Sequence, residues 1–329
     1  MRAVLCKAFG PPESLVLEEV DDPVAGDGQV VVDVHACAVN FPDVLMIQDM
    51  YQFKPPLPFS PGAEVAGIVS ELGPGVVGIH AGDRVIASPG WGGLAEKVAV
   101  SADSLIPLPD DVDLVHASSF LYAYGTSQYA LKDRGKLQPG ESLVVLGAAG
   151  GVGLAAVELG AVMGANVIAA ASTDDKLALC REYGASMTIN YSTEDLKTRI
   201  RELTGGVGAD VVYDAVGGSY SEPALRSMAW EGRFLVIGFA AGEIPKVPLN
   251  LALLKSCDIV GVFWGAFVAR ERDRHRQNIA ELMEWWRAGK LRPHVSSTYP
   301  LERASEAIRE LADRRAKGKV VVTVVDGST

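Results

Sequence analysis

The chain has 329 residues, of which 48% are hydrophobic and 35 are glycine, and its formal net charge is −11. At roughly 150 residues per domain this length gives two domains, each able to bury a core. The acidic balance argues against nucleic acid or an anionic membrane surface as the partner, and no apolar run reaches the roughly 20 residues of a membrane span.

The amino terminus, MRAVLCKAFGPP, lacks the apolar run and cleavage site of a signal peptide. Cys6, Cys37, Cys180 and Cys257 stand far apart with no CxxC pair. Disulfides and cysteine-based zinc sites are therefore not expected, and a cytoplasmic setting is.

The first third is β-rich. RAVLCKAF, LVLEEV, QVVVDVHACAV, AEVAGIVSEL, DRVIAS and AEKVAV are short strand-like runs separated by Gly and Pro turns, a spacing that predicts a barrel or sandwich. Asn40 to Gly62 interrupts them. Pro55, Pro56, Pro58 and Pro61 exclude a long helix or a central strand there, and a loop this long inside a compact domain is usually functional.

From about Ala117 the pattern turns helical, and then strands and helices alternate. LVVLG, NVIAAA, SMTINY, DVVYDAV and RFLVIG interleave with helices near 152–163, 174–183, 193–203 and 219–229, and DIVGVF follows at 258–263. This alternation predicts a doubly wound parallel sheet of Rossmann type. After its first strand stand Gly147, Gly150, Gly151 and Gly153. Glycines let the backbone approach a pyrophosphate, and the helix that follows offers free N–H groups and its positive dipole end. The tail holds a charged helix near 270–287, a strand near 295–299, a helix at 301–314 and the last strand KVVVTVV. It is too small to fold alone and is expected to complete the first domain.

Two readings compete at AAASTDDK. Asp174 or Asp175, about 20 residues after the glycine turn, would suit the ribose hydroxyls of NAD. Ser172 with Lys176 one helical turn on would suit the 2′-phosphate of NADP. Helix capping by Ser172 or Thr173 is compatible with either, and the balance favours NADP.

In the long loop, Asn40, Asp43 and Tyr51 are the polar candidates to face a cleft: Asn40 as a donor to a carbonyl or ribose, Tyr51 as a proton donor. The alternative makes Asp43 a helix cap and Tyr51 packing. Thr126 and Tyr129 carry the same ambiguity. The arginine-rich stretches ARERDRHR and ADRRAKGK are interleaved with acids and read as solvated helix faces, and the five histidines show no metal-ligand spacing.

Together these pieces resemble the medium-chain dehydrogenase/reductase superfamily, and within it the zinc-free NADPH:quinone oxidoreductases of the zeta-crystallin-like branch. The resemblance spans essentially the whole chain. It rests on VNFPD at 39–43, Tyr51 with PFSPGAEVAGIV at 58–69, and GTSQYAL at 125–131. It continues with GAAGGVGLAAVELG at 147–160, INY at 189–191 and GKVVVTV at 318–324. It implies a Rossmann domain, 119–263, inserted into a GroES-like catalytic domain of 1–118 plus 264–329, and a homodimer pairing near 258–267.

The zinc alcohol dehydrogenases that share this outline carry a zinc-binding Cys where Asn40 stands, and a His-Glu pair where this chain reads Ala63-Glu64. The resemblance therefore implies no zinc. It assigns Gly150, Gly151, Val152 and Gly153 to the pyrophosphate, and Ser172, Lys176 and Tyr191 to the 2′-phosphate. Asn40 falls near the nicotinamide ribose, Thr126, Tyr129, Phe239 and Ala240 at the nicotinamide, and Phe263 with Trp264 on the substrate side. The expected reaction is hydride transfer from NADPH, rather than NADH, to a small-molecule quinone or enone stacked between the domains. A CoA thioester with Lys54 at its phosphates is the variant reading, and an NADPH-binding protein with little turnover is the alternative from a different class. One departure is QDMYQ, where the family often has Gly in place of Asp49.

Overall fold

The apolar run before the glycine turn forms the strand Ser142–Leu146, and Leu143 to Leu146 are wholly buried. Burial on both faces is what a strand inside a helix-covered parallel sheet experiences. The computed structural model describes residues 1–324. The chain forms two compact units, Met1–Tyr122 with the segment from Pro293 onward, and Ala123–Arg292.

In the second unit, among the described residues, six parallel strands lie in the order Met187–Asn190, Asn166–Ala171, Ser142–Leu146, Ala209–Asp214, Met228–Val236 and Asp258–Gly261. Numbered along the chain this order is 3-2-1-4-5-6, the Rossmann order. The glycine turn leaves the first strand where that order reverses, which is where such sheets bind ligands. The helix Gly151–Val162 packs its small residues inward. A Cβ on Gly160 would lie 2.5 Å from Leu143 Cδ2, so glycine sets how closely helix and strand approach.

The helical stretch expected after Ala117 divides into Leu114–Ser118, Leu121–Gln128 and a π-helical turn, Tyr129–Arg134. The π turn closes through Gly135 N–H donating to the Ala130 carbonyl, five residues back, at 2.7 Å. A π turn inside a helix often marks a functional position.

The expected domain return at residue 264 is corrected to 293. The helices Trp264–Arg270 and Arg272–Arg287 belong to the second unit, where Asn278 Nδ2 donates to Asp133 Oδ2 at 2.7 Å and Lys132 donates to Glu281. The charged sequence of this segment hides that role, because its acids and bases are engaged with polar residues 140 or so positions upstream.

In the first unit, among the described residues, seven strands form one sheet. Its path runs Val295–Pro300, Lys319–Thr323, Gln29–Val39, Glu64–Leu72, Arg84–Ala87 and Ile106–Pro107, and Lys97–Ser101 also pairs with Gln29–Val39. Arg2–Leu5 and Val16–Glu19 make a separate hairpin. Register matters in two places. Val320 lies opposite Val39, which brings Lys319 alongside Asn40, and Ala38 lies opposite Glu64. No helix among the described residues is long and apolar enough to cross a membrane.

Gly67 marks a close backbone approach in this sheet: a Cβ there would sit 2.1 Å from the Asp33 carbonyl oxygen. The Gly67→Ala substitution should destabilise the protein by about 3 kcal/mol, as over-packing against rigid backbone does. Urea denaturation followed by tryptophan fluorescence checks this.

Candidate active site

Asn40 ends the strand Gln29–Val39 and stands before the short helix Phe41–Met46. The Asp43 carboxylate accepts the Asn40 N–H at 2.7 Å and the Gly62 N–H at 3.0 Å. It thereby caps the helix and ties the helix head to the Ser60–Gly62 turn. Asp43 is wholly buried, and burial pushes its carboxyl up to about 6 against the pull of those two amides.

The Asn40 side chain is almost fully engaged. Nδ2 donates to the Ala38 carbonyl at 3.3 Å and to Glu64 Oε2 at 3.2 Å, while Oδ1 accepts from Lys319 Nζ at 2.6 Å. The expectation that Asn40 donates to a carbonyl or ribose is corrected: both amide hydrogens are directed inward, and the remaining capacity is an acceptor lone pair on Oδ1. Lys319 also donates to Glu64 Oε2 at 3.0 Å, and Glu64 Oε1 accepts the Tyr122 N–H at 2.9 Å. The Lys319 and Glu64 side chains are 6% and 0% exposed. Breaking such a buried pair typically costs about 3–5 kcal/mol.

Tyr51 is half-buried, and burial, with the Asp43 charge behind it, raises its phenol above the usual range, so it remains protonated. Asp49 holds φ +58°, the left-handed backbone that glycine favours, and Asp49 Oδ1 meets Lys54 Nζ at 2.7 Å. The departure from the family's glycine thus keeps the glycine-like backbone and adds an exposed ion pair. Lys54 is engaged there rather than presented singly to a phosphate.

In the second unit the glycine turn has the shape that a pyrophosphate needs. Gly147 holds φ +68°, and a Cβ on Gly153 would lie 2.1 Å from the Gly147 carbonyl oxygen, so side chains are excluded from the cradle. The first ladder bond of the helix runs from Leu154 N–H to the Gly150 carbonyl at 2.7 Å. The amides of Gly151, Val152 and Gly153 precede it and are available to an anion. Ser127 Oγ fastens the Val152 carbonyl at 2.8 Å and approaches the Tyr213 hydroxyl at 3.0 Å, bracing the turn from below.

Ser172 and Tyr191 meet at the end of the strand Asn166–Ala171, and Lys176 lies in the first turn of the helix Asp174–Glu182 that follows. Tyr191 N–H donates to the Ala171 carbonyl at 3.1 Å, which sets Tyr191 beside the end of the strand that leads into Ser172, and the Tyr191 ring leans on Tyr220 at 4.4 Å. Thr173 is the N-cap residue of Asp174–Glu182. Asp174 Oδ1 accepts from Asn190 Nδ2 at 2.8 Å, and Asp175 Oδ1 accepts from Thr173 Oγ1 and from the Lys176 N–H.

Tyr129 stacks on Phe267 at 4.1 Å, and Trp264 lies against Gly125, where a Cβ would come within 2.9 Å of its ring. Thr126 is half-buried on the same helix. Phe239 packs against Gly217, Ala240 N–H donates to the Ala215 carbonyl at 3.2 Å, and Phe263 is 46% exposed. His275 sits edge-on to Trp264 and Phe267, and burial pushes its imidazole down to about 4.

Sequence reasoning missed Lys319, Asn190, Tyr220 and Phe267, and gave Glu64 no role beyond following Ala63. For Glu64 a signal existed: a carboxylate heading the apolar run AEVAGIV. For Lys319 none did, because a lysine opening a strand ordinarily points to water.

Residues 26–110 match the alcohol dehydrogenase GroES-like domain and residues 151–285 the zinc-binding dehydrogenase domain. The chain is 40% identical, over 98% of its length and 88% of the relative's, to a quinone oxidoreductase-like protein 2 homolog of Nematostella vectensis. It is 33% identical to a 2-haloacrylate reductase of a Burkholderia species, covering 98% of both chains. It also matches the structure of Escherichia coli quinone oxidoreductase complexed with NADPH at 29% identity and a TM-score of 0.93, covering 98% of this chain and all of that one. The chain belongs to the medium-chain dehydrogenase/reductase superfamily, in its quinone oxidoreductase branch. It is an oxidoreductase. Among the described residues no group of three or more His, Cys, Asp or Glu could hold a metal ion, and Asn40 and Ala63 offer neither thiolate nor imidazole.

Because Asp43 binds its proton more tightly folded than unfolded, its ionisation removes stability as the pH rises from about 4 to about 6. Relative to the wild type, Asp43→Asn should gain about 2 kcal/mol on going from pH 4 to pH 7. Chemical denaturation of both proteins at the two pH values measures this.

Proposed function

We propose that the protein is a zinc-independent oxidoreductase that uses NADPH to reduce a quinone or an α,β-unsaturated carbonyl. The observation that carries the cofactor choice is the commitment of both acids at the head of Asp174–Glu182, Asp174 to Asn190 and Asp175 to Thr173. Recognition of the NAD ribose needs a carboxylate there, whereas Ser172, Lys176 and Tyr191 supply the hydroxyls and the cation that a 2′-phosphate needs. The Escherichia coli quinone oxidoreductase, complexed with NADPH, supports the same reading.

Bound NADPH would supply the hydride from its nicotinamide C4. Gly150, Gly151, Val152 and Gly153 hold the pyrophosphate, and Thr126, Tyr129, Phe239 and Ala240 orient the nicotinamide end. Phe263 and Trp264 provide the apolar surface for a flat acceptor. Asn40 offers its Oδ1 lone pair to the nicotinamide ribose, and Asp43 fixes the backbone that carries it. Tyr51, kept protonated, or water returns the proton to the reduced acceptor. Asn40 and Ala63 leave no metal to polarise a simple alcohol, so the acceptor must be electrophilic in its own right.

Mixing the protein with NADPH and a panel of quinones, enones and enoyl-CoA thioesters, while following nicotinamide absorbance, tests this. Turnover with quinones or enones and metal-free protein is expected. Binding of NADPH with oxidation by none of them would leave a nucleotide-binding protein, and zinc in the active protein would overturn metal independence. In the same assay Lys176→Ala should weaken NADPH roughly 10- to 100-fold and leave NADH nearly unchanged, the loss of one charge-assisted contact.

A homodimer is part of this reading. The strand Asp258–Gly261 ends the parallel sheet and pairs only with Met228–Val236 among the described residues. Ile259, Leu249, Leu253 and Leu254 are exposed on or near it, and an uncovered edge beside apolar side chains favours a second copy. Sedimentation at twice the 34.8 kDa chain mass is expected, and a monomer at micromolar concentration would reject it.

A further inference from the structure

The first unit buries three charged groups within one hydrogen-bonded set. Asp43 and Glu64 are both 0% exposed, and Lys319 is 5% exposed. Glu64 takes three donors, the Tyr122 N–H, Asn40 Nδ2 and Lys319 Nζ. Lys319 reaches Asn40 Oδ1 at 2.6 Å from the far end of the chain, 279 residues away in sequence. Cys37, Tyr51 and Tyr122 are the other titratable groups that feel these charges.

The chemistry of the set allows only one orientation of the Asn40 amide. A carboxylate cannot face Oδ1 and an ammonium cannot face Nδ2, so the Glu64–Lys319 pair brackets the amide from both sides. Rotation by half a turn would put two acceptors together and two donors together among almost wholly buried groups, a costly arrangement. An uncharged amide needs no ion pair merely to be buried. The pair therefore supplies something that packing does not, namely a fixed direction for the one lone pair left on Oδ1.

We propose that Lys319, held by Glu64, is a positioning residue that locks the Asn40 side chain with its carbonyl lone pair presented for ligand binding. Lys319 touches neither cofactor nor acceptor in this role and acts through Asn40. The consequence for turnover rests on the oxidoreductase reading given above, whereas the locking itself does not.

The test uses the full chain, Lys319→Met, and the double variant Lys319→Met with Glu64→Gln. Lys319→Met leaves two buried carboxylates without their cation and is expected to lower the thermal midpoint. The double variant removes both charges at nearly constant volume and should recover most of it. In both variants kcat with the best acceptor should fall at least about tenfold while the KM for NADPH moves less than about threefold, the pattern of a lost orienting contact.

A second readout needs no activity. With selective 15N-asparagine labelling, and Asn40→Ala to assign the signal, the two Asn40 amide protons should be distinct and slow to exchange in the wild type. In the double variant they should shift and exchange freely. If the double variant recovers stability, kcat and amide protection together, the pair is only structural and the proposal falls. If the amide protons are unprotected in the wild type, it falls outright. If they are protected in the wild type and lost in the double variant while the wild type turns over no acceptor, the locking stands and the reading of the reaction fails instead.

Discussion

A single buried ammonium holds the polar centre of the first unit together. Lys319 answers two carboxylates that no water reaches, and it does so through one ion pair to Glu64 and one hydrogen bond to Asn40. Asp43 has no direct cation, and burial raises its carboxyl to about 6 although it accepts two backbone amides and feels the Lys319 charge. Buried ion pairs are seldom retained for stability alone, since apolar replacements of similar volume often do as well. What the pair provides is direction: it decides which way the Asn40 amide points.

The second unit solves its problem with backbone instead of charge. Its glycines exclude side chains from the turn at the switch point of the sheet, and the helix behind the turn presents unladdered amides. One strand further on, Asn190 and Thr173 engage both aspartates at the head of the helix Asp174–Glu182. Neutral side chains thus change the meaning of an acidic sequence, AAASTDDK, by giving its acids internal partners.

The two units differ in how far they were legible from sequence. Much that is local in the Rossmann unit was readable: the order of its six strands, the glycine turn, and the small residues that let the helix Gly151–Val162 approach the sheet, whereas the helix Asn250–Lys255 and the π turn Tyr129–Arg134 were not. The helix near 270–287 was readable but the unit it belongs to was not, because its polar contacts are with Asp133 and Lys132, and charged residues engaged in long-range bonds look the same in sequence as charged residues in water. Asp49 was readable as a departure from glycine, but its left-handed backbone is visible only in the fold.

By itself the sequence determined the fold class, the nucleotide turn, the family, and the absence of thiolate or imidazole at Asn40 and Ala63. These follow from residue type and local spacing, which a chain carries whether folded or not. Tertiary structure alone decided which carboxylates are partnered, that Asn40 directs both amide hydrogens inward, and that a strand-opening lysine becomes a buried cation. The reason is register. Antiparallel pairing of Lys319–Thr323 on one side of Gln29–Val39, and of Glu64–Leu72 on the other, brings residues 64 and 319 to the end of the same strand, and no local pattern encodes which strands become neighbours.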